Sequence, residues 1–143
     1  MSSEGMKAIV RRFVDEVQTA HKLEVMDELL SNDFVDHMAG SRPPYLEGAK
    51  RSFTMLFTAF PDLRATIQEQ AVDEDRVWTR KVFQGTHLGS FMGLPPSGKP
   101  FSFEAIEILR IADGKIVEHW AVSDMLSLLQ QIGAFPSPDR SGR

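Results

Sequence analysis

"ILRIADGKIVEHWAVSD", residues 108–124, is the stretch on which the fold turns. Asp113-Gly114 separates two apolar runs, and a two-residue type I′ turn needs positive φ at both central positions, which Asp-Gly tolerates. The spacing predicts a β-hairpin with strands over residues 101–112 and 115–122. If Ala112 faces Lys115 and the ladder is unbroken, Ile111 opposes Ile116, Leu109 opposes Glu118, Glu107 opposes Trp120 and Phe103 opposes Asp124. Alternation then gathers Glu107, Glu118 and Asp124 on one face with Trp120, Leu109 and Phe103, leaving Ile108, Arg110, His119 and Ala121 on the other. Carboxylates among apolar neighbours must be paired or neutralised, and perturbed acids in a cleft are candidates for proton transfer. The plainer reading of Glu107 and Glu118 is a structural ion pair with a basic residue such as Arg80.

Asp124 admits two readings. Met125, Leu128, Leu129 and Ile132 form a helical stripe ending at Gly133, so Asp124 can be the N-cap of that helix. Ser123 is an equally good cap. In that case Asp124 enters the first turn, where the helix dipole keeps it an anion and available as a base.

Further upstream, Ile9, Val10, Phe13, Val14 and Val17 recur at helical spacing from Lys7, and Leu23 to Leu30 suggests a short second helix. "FVDHMAG" (34–40) reads as a short strand. Leu46 to Phe60 is an amphipathic helix, with Phe53, Phe57 and Phe60 on its apolar stripe, stopped by Pro61 and placed as a lid over the sheet. Strands follow over about 63–73 and 76–87. Helices first and meandering strands afterwards indicate an α+β fold: a cone-shaped, curved antiparallel sheet whose concave face the N-terminal helices cover, an α+β barrel with an open end.

At 143 residues and 42% hydrophobic content the chain is the size of one domain, 1–143, with an ordered core of about 7–133 and a frayed tail over 134–143. There is no cysteine, hence no thiolate metal site and no cysteine nucleophile. A net charge of −4 without a basic block argues against nucleic acid or an anionic membrane as partner. "MSSEGMKAIVRRF" lacks the layout of a signal peptide, so the expected compartment is the cytoplasm. The four histidines have no zinc spacing, and no metal or cofactor is expected. His37 and His87 remain able to move protons near neutrality. "GLPPSGK" (93–99) nearly matches a phosphate loop, but Pro100 replaces its hydroxyl residue and Pro95 and Pro96 remove N–H donors. The loop over 85–100 instead offers Phe91 and Met92 as apolar contacts closing a pocket mouth.

The succession "ELL.NDFVDH", "F..AFPDL", "GTH.G.F.GLPPSGK" and "ILRI.DGKI.EHW...D...LL.Q.G" resembles the SnoaL-like polyketide cyclase family, of the nuclear-transport-factor-two-like superfamily, over about residues 7–133. The resemblance implies intramolecular aldol ring closure of an aromatic polyketide ester without metal or cofactor. It also implies a mostly apolar pocket, an oligomer, and an aspartate near the end of the last strand as acid/base, a position that Asp124 matches. Family members carry a histidine in the neighbouring strand; Glu107 or a nearby residue takes that place here. On this reading Asp124 removes the proton α to a carbonyl, and Phe57, Trp78, Phe91, Met92, Phe103 and Trp120 line the pocket with Glu118. His37 or His87 polarises an oxygen. The alternatives are a cone that binds apolar molecules without chemistry, an epoxide hydrolase-like enzyme, or a ketosteroid isomerase-like enzyme relying on Tyr45. The sheet face bearing Ile106, Ile108, His119 and Ala121 is expected to be covered by a second copy in a homodimer.

Overall fold

A computed structural model describes residues 1–40 and 43–136. The chain runs α1 (Ser3–Arg12), a π-helical segment (Phe13–Thr19), α2 (Val25–Leu29), β1 (Leu30–Asp36), α3 (Leu46–Ala59), β2 (Arg64–Asp73), β3 (Arg76–Thr86), β4 (Pro100–Ala112), β5 (Lys115–Ser123) and α4 (Met125–Gln131). α1 begins four residues before the apolar stripe because Ser2 caps it, its Oγ accepting the Gly5 N–H at 3.0 Å. α3 ends where Pro61 forces Phe60 out of the helical region, to φ −131° and ψ 78°. Leu30 opens β1 instead of closing α2, and the strand ends at Asp36, before His37.

The five strands form one unclosed sheet in the order β1-β5-β4-β3-β2. Three pairings are antiparallel, as expected of hairpins, but β1 joins β5 in parallel, with Asp36 opposite His119. The expected curved antiparallel sheet thus carries one parallel pairing at its edge, and it matters because a sequentially distant carboxylate arrives beside β5. Val10, Phe13, Val14, Val17 and Met26 from the helices pack on Val77, Leu109, Ile111 and Ile116 of the sheet, forming the main core. A second cluster, around Phe60, Phe101 and Leu128, fixes α3 and α4 at the far end.

The Asp113-Gly114 turn forms with both φ values positive, 51° and 74°. Ala112 pairs with Lys115 and Ile111 with Ile116, but then Arg110 pairs with Glu118, leaving Val117 unopposed. That single-residue bulge reverses every later assignment on β5. Leu109 therefore faces His119, Ile108 faces Trp120 and Glu107 faces Ala121. His119 moves to the helix-covered face, and Glu118 and Trp120 move to the outer one, opposite to the register of an unbroken ladder.

The glycine-rich loop is tied at both ends. His87 N–H donates to Lys99 O at 3.0 Å and Gly98 N–H to His87 O at 2.8 Å, while Leu88 and Gly89 N–H both donate to Ala59 O. A Cβ on Gly89 would lie 2.2 Å from Thr58 O, so only glycine permits this approach to α3. After Gly133, Ala134 and Phe135 donate their N–H groups to Leu129 O; the expected tail beyond residue 136 lies outside the described residues.

Candidate active site

Between the helices and the inner face of the sheet lies a cavity of about 230 Å³. Its walls are apolar, from Phe34, Phe53, Leu56, Phe83 and Phe103 among others. The lining is fully buried near Leu30 and Ile116 and becomes partly exposed toward Phe91, Phe103, Ser123 and Met125, which mark the mouth.

The polar groups of this wall form one connected chain. Asp36 Oδ1 lies 2.9 Å from His119 Nδ1, and His119 Nε2 lies 2.8 Å from Glu107 Oε2. Glu107 Oε1 accepts from Lys81 Nζ at 2.5 Å, and Lys81 also donates to Gln18 Oε1 at 2.7 Å. The parallel β1–β5 pairing delivers Asp36, the bulge delivers His119, and strand alternation delivers Glu107 and Lys81. Gln18, Asp36, Lys81 and Glu107 are all buried; His119 is the most accessible of the charged members, its side chain 19% exposed.

Burial opposes charge on His119, but hydrogen bonds to Asp36 and Glu107 outweigh it and raise its pKa from 6.5 to about 9. For Glu107 burial again works against the anion, and Lys81 with His119 overcomes it, holding the carboxyl at about 2 against an ordinary 4.5. Burial pulls Lys81 below its ordinary value, with Glu107 opposing. Glu107 is thereby held as an anion and His119 as a cation, in contact within an apolar wall. Such a cluster offers an acid and a carboxylate in contact, ready to exchange a proton.

These values set a pH window for stability. His119, with its folded value above 6.5, contributes fully below pH 6.5 and loses its contribution as pH rises through about 9. Glu107 contributes above pH 4.5 and loses its contribution as pH falls toward about 2. Urea midpoints should therefore plateau between pH 4.5 and 6.5 and decline on both sides. The alkaline decline should flatten in His119→Gln, and an unchanged one would detach it from His119.

Of the residues expected at the site, Glu107, Phe91 and Phe103 line the cavity and the others do not. Asp124 caps α4, its Oδ1 accepting the Ser127 N–H at 3.1 Å, and it lies outside the cavity lining. Ser123, proposed as an alternative cap, is the last residue of β5. Trp120 lies on the outer face between the His37 ring, stacked at 4.6 Å, and the Arg76 guanidinium at 4.8 Å. Glu118 pairs there with Arg110 and with His37 at 2.9 Å. Trp78 is 42% exposed and pairs across β4 with Ile108, and Met92 sits exposed at the loop tip with φ 50°. Phe57 stacks on His21 beyond the cavity wall. His87 is buried beside Phe60, and its Nδ1 accepts from Ser97 N–H, so it braces the loop. Tyr45, the hydroxyl an isomerase would need, is 60% exposed and does not line the cavity. Among the described residues no group of three or more acidic or imidazole side chains is disposed to hold a metal.

Asp36, Lys81, Gln18 and His119 were not selected from sequence as site residues. The available signal was phase: Asp36 follows Phe34, and Lys81 follows Val77 and Thr79, at the period-2 positions of buried strand faces. A charged residue in a buried phase requires a partner, and here the partners are one another.

Comparison with known proteins agrees with this architecture. The family model for SnoaL-like polyketide cyclase matches residues 8–132. Aklanonic acid methyl ester cyclase DauD of Streptomyces sp. (strain C5) is 31% identical over 137 residues, covering 92% of this chain and 84% of its own. The crystal structure of IdmH from Streptomyces antibioticus is 36% identical with a TM-score of 0.79, over 90% of this chain and 98% of that one. TsrD from Streptomyces laurentii, at 24% identity, shares the fold with a TM-score of 0.87 over 94% of this chain and 99% of that one. A helix-covered sheet enclosing an apolar cavity, matched along nearly its whole length by these sequences, places the chain in the SnoaL-like polyketide cyclase family.

Proposed function

We propose that this protein closes a ring in a polyketide ester by intramolecular aldol addition, with His119 and Glu107 as its proton-transfer pair. The observation that carries the reading is the His119–Glu107 contact at 2.8 Å, the most reachable part of the only charged chain in the cavity wall among the described residues. The relatives named as aklanonic acid methyl ester cyclases support the substrate class.

In the resting pair His119 carries the proton and Glu107 is the anion. A substrate carbonyl that takes up the His119 Nε2–H withdraws one of the bonds that hold the Glu107 pKa down, making Oε2 a stronger base. The Cα–H bond breaks toward Glu107 Oε2, the enolate carbon forms the new C–C bond, and the alkoxide takes the proton from His119 Nε2. The proton left on Glu107 then crosses back to His119. Aldol addition is an isomerisation, so no proton is gained or lost and the pair resets itself. Asp36 holds Nδ1 and keeps the ring oriented; Lys81 keeps Glu107 ionised. The aromatic walls exclude water and hold the chain folded for attack, which supplies the positioning share of the rate. Conversion of aklanonic acid methyl ester, followed by mass spectrometry and NMR, tests the reading: recovery of unchanged ester would overturn it and favour a binding protein.

The outer face carries the second half of the proposal, a homodimer. Trp78, Ile106 and Val122 are 42%, 46% and 78% exposed, on a face where Arg80 pairs with Glu69 and Glu104, and Arg110 with Glu118. Both charge signs flanking one apolar strip suit a second copy of the same surface. The strip consists of Trp78, Ile106, Ile108, Trp120 and Val122, in place of the His119 and Ala121 of the unbroken register. Light scattering should give twice the chain mass, and Ile106→Glu should reduce it to one.

A further inference from the structure

We infer that Gln18 holds a carbonyl oxygen of the ligand through its side-chain amide, a positioning role that rests on the cyclase reading for the identity of that ligand. Lys81 Nζ has only protons to offer, so the Gln18 atom facing it at 2.7 Å is the oxygen, and this fixes the opposite orientation of the NH₂ group. Gln18 is 2% exposed, and among the described residues no acceptor partners its Nε2. The sealed and unpartnered side-chain nitrogen among the described residues is His87 Nε2; Gln18 Nε2 is not sealed, and the surface Gln18 offers is the cavity wall.

The backbone also points to this role. Gln18 lies in the π-helical segment, where Ala20 N–H donates to Asp15 O five residues earlier. Bonding at i→i+5 brings residues five apart toward one face, and Phe13 and Gln18 both line the cavity. An amide donor facing the cavity with no protein acceptor among the described residues is costly unless a ligand acceptor meets it. A ketone or quinone oxygen meets that demand. Gln18 thereby holds a carbonyl at the deep end of the ligand and fixes its register relative to His119.

Two soluble probes of one shape test the assignment: anthraquinone-2-sulfonate, with ring carbonyls, and anthracene-2-sulfonate, without. Fluorescence titration of the full chain should show the quinone bound about tenfold more tightly, the worth of one hydrogen bond to a buried group. Gln18→Met and Gln18→Glu should each bring the two probes to near-equal affinity. Gln18→Glu retains an acceptor for Lys81, so a residue that merely props Lys81 would leave the preference intact in that variant, overturning the inference. Equal binding of both probes by the wild-type chain would overturn it as well. Turnover is a separate readout: recovery of unchanged ester with the wild-type chain defeats the cyclase reading, whereas the quinone preference and its dependence on Gln18 stand or fall on binding alone.

Discussion

Replacing His119 by glutamine should slow ring closure by about 10²- to 10⁴-fold, the usual worth of one positioned acid/base. Glutamine keeps a hydrogen-bonding group beside Asp36 or Glu107 but cannot carry and return the proton. The informative partner experiment is Asp124→Asn. Asparagine caps a helix as well as aspartate, so this variant should keep both its stability and near wild-type turnover, whereas an acid/base at Asp124 would lose activity by the same factor. A His119→Gln enzyme close to wild type in kcat, with Asp124→Asn inactive, would reverse the assignment made from geometry. The comparison is decisive because the two residues are only five positions apart in sequence yet occupy different environments. One lines the cavity and the other caps α4 outside it.

The second large effect is on stability. Lys81→Met removes the cation facing Glu107 where both side chains are almost sealed, 1% and 4% exposed. Breaking a buried pair from one side costs about 3–5 kcal/mol, because the abandoned charge has lost water and partner together. Urea denaturation near pH 6 should show that loss. Lys81→Met combined with Glu107→Gln should recover much of it, since the double variant buries neither charge of the pair. A single variant within about 1 kcal/mol of wild type would mean that His119 alone suffices as counterion for Glu107.

Most of the fold was legible from residue spacing. The Asp113-Gly114 turn, the helical stripes from Ile9 and Phe53, and the break at Pro61 each follow from local stereochemistry, and each appears where the spacing placed it. What local stereochemistry does not encode is partner choice between distant segments. The parallel pairing of β1 with β5 is of that kind, and with it the arrival of Asp36 beside His119. The bulge is subtler, because an unbroken ladder from the same turn is stereochemically sound. Its tell was the composition of the two candidate faces. An unbroken register would bury Glu118 and Trp120 while exposing Ala121; the observed one pairs Glu118 with Arg110 at the surface and sets small Ala121 in the cavity wall. Glu107, Phe91 and Phe103 line the cavity because they belong to segments that the bulge does not disturb. His37, Trp120 and Glu118 followed β5 to the outside as a group.

The unopposed Val117 acts on β5 as an inserted nucleotide acts on a reading frame. An inserted nucleotide leaves every base intact and changes what all the later ones spell; this unopposed residue leaves every side chain intact and changes which of them are spoken inward. Upstream of it Ile116 faces the core, and downstream His119 faces the cavity and Trp120 the outer surface. A single-codon insertion or deletion near a tight turn is thus enough to turn one β-strand inside out, exchanging which of its side chains line the interior.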